Sequence, residues 1–247
     1  MSTVKFLIEV VVKQEWYLVQ LDVNNAFLHG DLNEEVYMKL PHGLSVSGPP
    51  ALCYRGFTHS INDYSLFVMG SPGSLTILAI YVDDIILTGD EVNVILDLKM
   101  FLHDQFRIKD LGTLNYFLGI EIPYYSSGLL LNQKKFTADL LSEYACSDVS
   151  SVVCPLELHK KLFVDFGDLL DKSETYRSLI GRLLFLKYTR PDICFVVQHL
   201  SQFLKCPRVP HIVIALHILR YLKGSLDVGL FYSRSSDLTL TAYSDSD

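Results

Sequence analysis

Leu75-Thr-Ile-Leu-Ala-Ile-Tyr-Val82 runs into Asp83-Asp84 and continues directly into Ile85-Ile-Leu-Thr88. β-Branched and aromatic residues on both sides of the acidic pair predict two strands joined by a turn. Upstream, Gly70-Ser-Pro-Gly73 predicts a second turn, so Ser65 to Leu87 reads as hairpin structure with two aspartates at or beside a tip. An Asp-Asp pair on its own is an ordinary turn. Here apolar strand on both flanks holds two charges at a fixed place on a buried scaffold, and such a pair repels itself unless a cation neutralises it.

A third carboxylate occupies a similar position. Tyr17 to Leu21 predicts a strand ending at Asp22, within Gln20-Leu-Asp-Val-Asn-Asn-Ala-Phe-Leu28. Pairing of the two strands would bring Asp22 to Asp83 and Asp84 at one edge of a sheet. Three hard oxygen donors there suit Mg²⁺, which takes one or two carboxylates and leaves positions for phosphate oxygens. Two such ions about 4 Å apart support in-line displacement at phosphorus.

Outward from this centre, Val4, Leu7, Ile8, Val11 and Val12 form one face of a short helix. Val36 to Leu40 predicts a strand, Pro41 to Pro50 a loop, and Asp90 to Phe106 a helix. Asn115 to Ile122 with Leu129 to Asn132 predicts another hairpin, and Lys134 to Tyr144 a helix. The pattern loosens from Cys146 to Lys172. Three helical segments follow, about 174–188, 191–204 and 210–222, the second with Pro191 in its first turn. Val228 to Tyr232 and Leu238 to Tyr243 predict two short strands. Strands and helices interleaved with hairpins define an α+β fold with an antiparallel sheet.

The 247 residues carry a formal charge of −7, and 49% are apolar, enough for a core and too apolar for intrinsic disorder. Net acidity argues against a protein that coats nucleic acid by charge alone. Yet Ser173 to Gly224 holds eight basic residues, among them Arg177, Arg182, Arg190 and Arg220, against Glu174 and Asp192. A basic helical half is what contact with a phosphate backbone needs, although solvated helix faces produce the same count. Five scattered cysteines without a C-x-x-C pair predict reduced thiols. No apolar run approaches the roughly 18 residues of a membrane span, and no signal peptide is read in Val4 to Val12, so an intracellular location, cytoplasm or nucleus, is expected.

Together the blocks resemble the reverse transcriptase of copia-type LTR retrotransposons. The resemblance is carried by Gln20-Leu-Asp-Val-Asn-Asn-Ala-Phe-Leu-His-Gly-Asp-Leu, Asp63-Tyr-Ser-Leu-Phe, Tyr81-Val-Asp-Asp-Ile-Ile-Leu-Thr-Gly, Phe106-Arg-Ile-Lys-Asp-Leu-Gly, Tyr116-Phe-Leu-Gly-Ile-Glu and Thr189-Arg-Pro-Asp-Ile. It implies a palm-like antiparallel sheet with packed helices over 1–150, a linker at 151–172, a mainly helical connection region at 173–225, and the first strands of a truncated RNase H-like domain at 226–247. It implies that Asp22, Asp83 and Asp84 are the catalytic metal ligands, joined by the backbone carbonyl of Val23. It also implies two Mg²⁺ ions (Mn²⁺ being an alternative), substrate contacts at Phe27 and Tyr81, and an RNA or DNA template-primer and dNTPs as partners. Phe27 would exclude a ribose 2′-OH, and Asp245 would be the first carboxylate of the truncated RNase H site.

Two departures from the family pattern bear on activity. The fingers expected ahead of the first helix are absent. Near Cys53 to Gly56 the chain runs directly between blocks that the family separates by a few dozen residues of dNTP pocket, leaving only 61 residues from Asp22 to Asp83. Both losses remove cations that a triphosphate requires. The reading is a degenerate, non-polymerising reverse-transcriptase remnant. A residually active palm and a non-catalytic nucleic-acid-binding module are the alternatives, and the sequence does not fix the oligomeric state.

Overall fold

The computed structural model describes residues 2–23, 56–71, 73–156, 162–163, 165–235, 242 and 244. The expected strand at Val36 to Leu40, the loop at Pro41 to Pro50, Phe27, the junction at Cys53 to Arg55, the strand at Leu238 to Tyr243 and Asp245 lie outside these residues, apart from positions 242 and 244. The chain divides into two compact units, 1–115 with 232–247, and 116–231.

In the first unit, α1 (Ser2–Gln14) precedes β1 (Tyr17–Val23), β2 (Thr58–His59), β3 (Leu66–Ser71), β4 (Ser74–Tyr81), β5 (Asp84–Gly89), α2 (Val92–Phe106) and β6 (Ile108–Thr113). The six strands form one sheet in the order β2-β3-β4-β5-β1-β6, every neighbour antiparallel. Alternation sends Leu21, Phe67, Leu78, Ile85 and Leu87 to one face, where they are buried with Ile95, Leu98 and Leu102 of α2 and Ile108 of β6. Each such side chain contributes about 1.5–3 kcal/mol by leaving water. On the other face Leu18, Ala79 and Ile86 are also buried.

The helix ends follow from local chemistry. α1 buries Val4, Leu7, Ile8, Val11 and Val12, the predicted stripe. It closes where Glu15 turns left-handed (φ 55°) and the Trp16 N–H donates to the Val11 carbonyl at 3.1 Å. α2 stops the same way at Arg107 (φ 50°), whose N–H reaches the His103 carbonyl at 2.8 Å. Between β3 and β4, Gly70 sits at φ +98°, where a Cβ would lie 1.8 Å from the Ser74 carbonyl oxygen, so only glycine fits.

Strand β6 departs from the sequence reading, which expected no element there. Lys109, Asp110, Gly112 and Thr113 spoil the apolar alternation because β6 is an edge strand with little to bury. Only Ile108 is buried.

The second unit contains β7 (Tyr116–Phe117), β8 (Ile120–Glu121), β9 (Tyr124–Tyr125), β10 (Gly128–Leu131), α3 (Lys134–Glu143) and α4 (Ser173–Leu186), then a 3₁₀ turn (Pro191–Ile193), α5 (Cys194–Ser201) and α6 (Val209–Lys223); β11 (Leu230–Ser233) begins at its end and runs past the division at 231/232. Leu140, Leu141 and Cys146 are buried with Tyr176, Leu179 and Leu183 of α4, Val197 of α5, and Ile214, Ile218 and Leu222 of α6. The division between compact units therefore falls at 115/116, ahead of the loosened stretch at Cys146 to Lys172. α3 packs with the helices because its apolar face is shared with them, and the hairpins fall in the same unit. Leu156, Leu162 and Leu170, within the expected linker, pack against the same core.

Candidate active site

The sheet end formed by β1, β4 and β5 gathers the predicted acidic residues. β1 and β5 pair so that Asp22 and Asp84 are direct Cα partners, and β4 and β5 pair so that Tyr81 is the partner of Asp84 on its other side. Asp22, Tyr81 and Asp84 thus share one face, with Gln20 two residues before Asp22. Val82 and Asp83 make the two-residue turn, and the Val23 N–H donates to the Asp83 carbonyl at 2.9 Å, tying the turn to the end of β1. All three aspartates and Val23, read from sequence as one site, are brought together by backbone register.

Side-chain bonds hold this end on both flanks. Gln20 Nε2 donates to Asp84 Oδ1 at 3.0 Å. On the far side, the Ser65 N–H and hydroxyl donate to Asp63 Oδ1 at 2.9 and 2.6 Å, and the Thr3 hydroxyl donates to Asp63 Oδ2. These bonds, the Ser65 hydroxyl first, hold the Asp63 carboxyl below its ordinary value, and the Ile80 N–H donates to the Ser65 carbonyl at 2.8 Å. The Tyr81 hydroxyl is raised by burial.

Asp84 has its carboxyl pushed up, chiefly by burial and then by the nearby charges of Asp83 and Asp22, with the Gln20 hydrogen bond pulling the other way. This is the electrostatics of a site short of positive charge. A divalent cation would remove that repulsion, and carboxylate oxygens are the donors Mg²⁺ prefers, so the residues suit such an ion. Among the described residues no three acidic, His or Cys side chains close on a common point. A shared ion would require these side chains to rotate.

Two residues of this region escaped the sequence reading. Gln20 was visible in principle, since a strand period of two puts it on the face of Asp22. Lys109 was not, because β6 itself was not predicted. It is the Cα partner of Asp22 on the opposite side from Asp84, an exposed cation at the carboxylate end of the sheet. With Lys99, His103 and Arg107 it lines a cleft of about 820 Å³ between α2 and β6.

The antiparallel sheet thus presents two consecutive aspartates at a hairpin turn, beside a third at the end of the neighbouring strand. A family model described as reverse transcriptase (RNA-dependent DNA polymerase) matches residues 1–60 and 51–158, and the chain belongs to that family. It is similar to the retrovirus-related Pol polyprotein from transposon RE2 of Arabidopsis thaliana, 34% identical over 272 residues, covering 100% of this chain and 19% of the polyprotein. The corresponding polyprotein from transposon TNT 1-94 of Nicotiana tabacum is 30% identical, again over the whole chain and 21% of its own length. An uncharacterised mitochondrial protein of Arabidopsis thaliana is 37% identical over 171 residues, 69% of this chain and 70% of that protein. These transposon relatives are of the copia type, and the chain spans about a fifth of their length. No solved structure matches. No helix among the described residues is long and apolar enough to cross a membrane.

Proposed function

We propose that the sheet end bearing Asp22, Asp83 and Asp84 is the divalent-ion site of a copia-type reverse-transcriptase palm, and that this chain keeps the ion ligands without extending a primer. The observation carrying the first half is the register of β1 on β5, which sets Asp22 directly opposite Asp84 beside the Asp83 turn. Asp22 and Asp83, with the Val23 carbonyl, would hold two Mg²⁺ and Asp84 would support them. The ions supply charge to the transferred phosphoryl group and its leaving pyrophosphate. The chain's own part is to hold the carboxylates at one rigid sheet end. Phe27 and Tyr81 are the proposed nucleotide contacts, and a template-primer with dNTPs the proposed partners.

The second half is supported by where the family likeness breaks. The match falls into two segments that meet at 51–60, and the alignment with the RE2 polyprotein extends over 272 positions where this chain has 247. Both fit a loss of chain between Tyr37 and Asp63, the stretch that lines the dNTP pocket in the family. Without the cations of that pocket, a triphosphate beside three carboxylates is left under-neutralised, at a cost of a few kcal/mol for each missing group.

A non-catalytic nucleic-acid binder finds less support, because the basic residues of 173–224 are mostly spent inside their own unit. Arg177, Arg208, Arg220 and Lys223 donate to the carbonyls of Leu204, Gly167, Ser150 and Val149, while Arg182 and Arg190 pair with Glu143 and Asp192.

Primer extension with dNTPs and Mg²⁺ or Mn²⁺, run beside Mn²⁺ binding, tests the proposal. The expected result is no incorporation, with Mn²⁺ binding that Asp83→Asn removes. Incorporation that Asp83→Asn abolishes would make the chain a working polymerase and overturn the second half. Mn²⁺ binding indifferent to Asp22→Asn and Asp83→Asn would overturn the first.

A further inference from the structure

We propose that Gln20 is a positioning residue for Asp84: its side-chain amide fixes one carboxylate oxygen and leaves the other turned toward the divalent-ion site. The inference rests on the ion-binding reading of Asp22, Asp83 and Asp84.

Gln20 is only 8% exposed, an expensive place for an amide unless it is bonded. Its Nε2 lies 3.0 Å from Asp84 Oδ1. An ionised carboxylate offers only acceptors, so the NH₂ end of the amide must face it. The backbone partner of Gln20 is Ile86, not Asp84, so the amide reaches diagonally across the strand pair. That diagonal requires a side chain of glutamine length. Ile86 is fully buried and apolar, so it offers Asp84 no competing donor. Among the described residues Asp84 has no second hydrogen bond, which leaves Oδ2 for an ion.

The backbone of the turn is held by other means. The Val23 N–H bonds the Asp83 carbonyl, Tyr81 is the strand partner of Asp84, and the neighbouring Ile80 N–H bonds the Ser65 carbonyl. Loss of the Gln20 amide therefore leaves the turn in place and frees only the Asp84 carboxylate to rotate. Groups that orient a metal's ligands in this way change affinity by about 10–100-fold when removed.

The test is a double-mutant cycle on the full chain, read by Mn²⁺ binding in electron paramagnetic resonance titrations. Gln20→Met keeps length and bulk without a donor, and is expected to weaken Mn²⁺ binding about tenfold. In an Asp84→Asn background the same substitution is expected to change binding by less than about twofold, since its route of action is gone. Equal losses in both backgrounds would overturn the proposal, because Gln20 would then act through the fold at large.

A second measurement does not depend on metal. The side-chain amide protons of Gln20 should show a hydrogen-bonded NMR shift and slow exchange, lost in Asp84→Ala and kept in Asp83→Ala. An amide that resonates as in water, or ignores Asp84→Ala, overturns the pairing. If Mn²⁺ does not bind while the Gln20 amide still follows Asp84, the ion-site reading fails and the positioning pair stands.

Discussion

Asp22 and Asp84 face each other as direct partners on adjacent antiparallel strands, β1 and β5. Such partners have Cα atoms about 4.5–5.5 Å apart, and like charges there are destabilising. Burial and the charges of Asp83 and Asp22 raise the Asp84 carboxyl, so its proton is bound more tightly in the folded chain than in the unfolded one. The stabilisation from that proton is complete below the ordinary carboxyl value and is lost as pH rises through the raised folded value. In the absence of divalent ions, Asp84→Asn is therefore expected to raise Tm at pH 7, with the advantage fading as pH falls through the raised folded value and gone below 3.8. Mg²⁺ at a hundred times its Kd should stabilise the parent by about 2.7 kcal/mol and stabilise Asp84→Asn by clearly less. Thermal denaturation with and without Mg²⁺ checks both. A parent that gains nothing from Mg²⁺, or a destabilised Asp84→Asn, counts against the charge-repulsion account.

The helical unit has a buried ionic knot of opposite character. Arg190 is 4% exposed, and its Nε and Nη2 donate to both oxygens of Asp192 at 3.0 and 2.7 Å. Nη1 and Nη2 also reach the Ser225 carbonyl and hydroxyl at 2.9 and 2.8 Å, and the Tyr221 hydroxyl donates to Asp192 Oδ2 at 2.7 Å. Burial pushes the Asp192 carboxyl up, but the Arg190 and Tyr221 bonds outweigh it and leave it below the ordinary value. Asp192→Asn strands a buried guanidinium and should cost about 2–3 kcal/mol, less than a fully buried pair because Asp192 is partly open to water. For a depressed carboxyl the stability is present above the unfolded value and lost as pH falls through the folded one. Urea midpoints of parent and variant are thus expected to differ at pH 7 and to converge toward pH 3. A constant gap across that range would show that Asp192 acts without its charge.

What the sequence disclosed and what it withheld divide along physical lines. The Asp83 turn was legible because apolar strand flanks it on both sides. The α1 stripe and the three helical segments were legible because Val4 to Val12, and Tyr176, Leu179, Ile180 and Leu183, repeat at helical spacing. Strand β6 was hidden, since an edge strand with one buried side chain leaves no alternation to read, and Lys109 opposite Asp22 was hidden with it. The break between units at 115/116 was also invisible. It depends on which core Leu140 and Cys146 join, and composition carries no trace of that choice. Charge counting left two readings open: eight basic residues between Ser173 and Gly224 fit a phosphate-binding face or ordinary solvated helix faces, and six of them bond within their own unit.

Arg220 makes that last point measurable. Its Nε and Nη2 donate to the Ser150 carbonyl and hydroxyl at 2.9 and 3.2 Å, fastening the segment after α3 to α6. Arg220→Ala should cost about 1–2 kcal/mol of stability, the range for a hydrogen bond to a charged group that is partly exposed. It should leave the salt dependence of single-strand oligonucleotide binding unchanged. If the slope of log affinity on log salt falls by about 0.7, the value for one contact to a single strand, Arg220 touches phosphate and the basic half is a binding face after all.

Val82 shows a strain that the turn carries alone. It is a β-branched residue at φ 59°, first of the two residues joining Tyr81 to Asp84, and it is 71% exposed. An L-residue in the left-handed region costs about 1–2 kcal/mol, and two-residue hairpin turns favour glycine at such positions. So little of Val82 is buried that its side chain returns almost nothing through packing. Val82→Gly should therefore relieve the strain while losing about 0.5–1 kcal/mol to the greater freedom of the unfolded chain. The expected net effect is between zero and about 1.5 kcal/mol of stabilisation, against an average substitution that destabilises by about 1 kcal/mol. Equilibrium urea unfolding decides it. A loss of more than about 1 kcal/mol would mean that the Val82 side chain holds the turn by contacts, and that the aspartate hairpin is stiffened by packing as well as by the Val23–Asp83 bond.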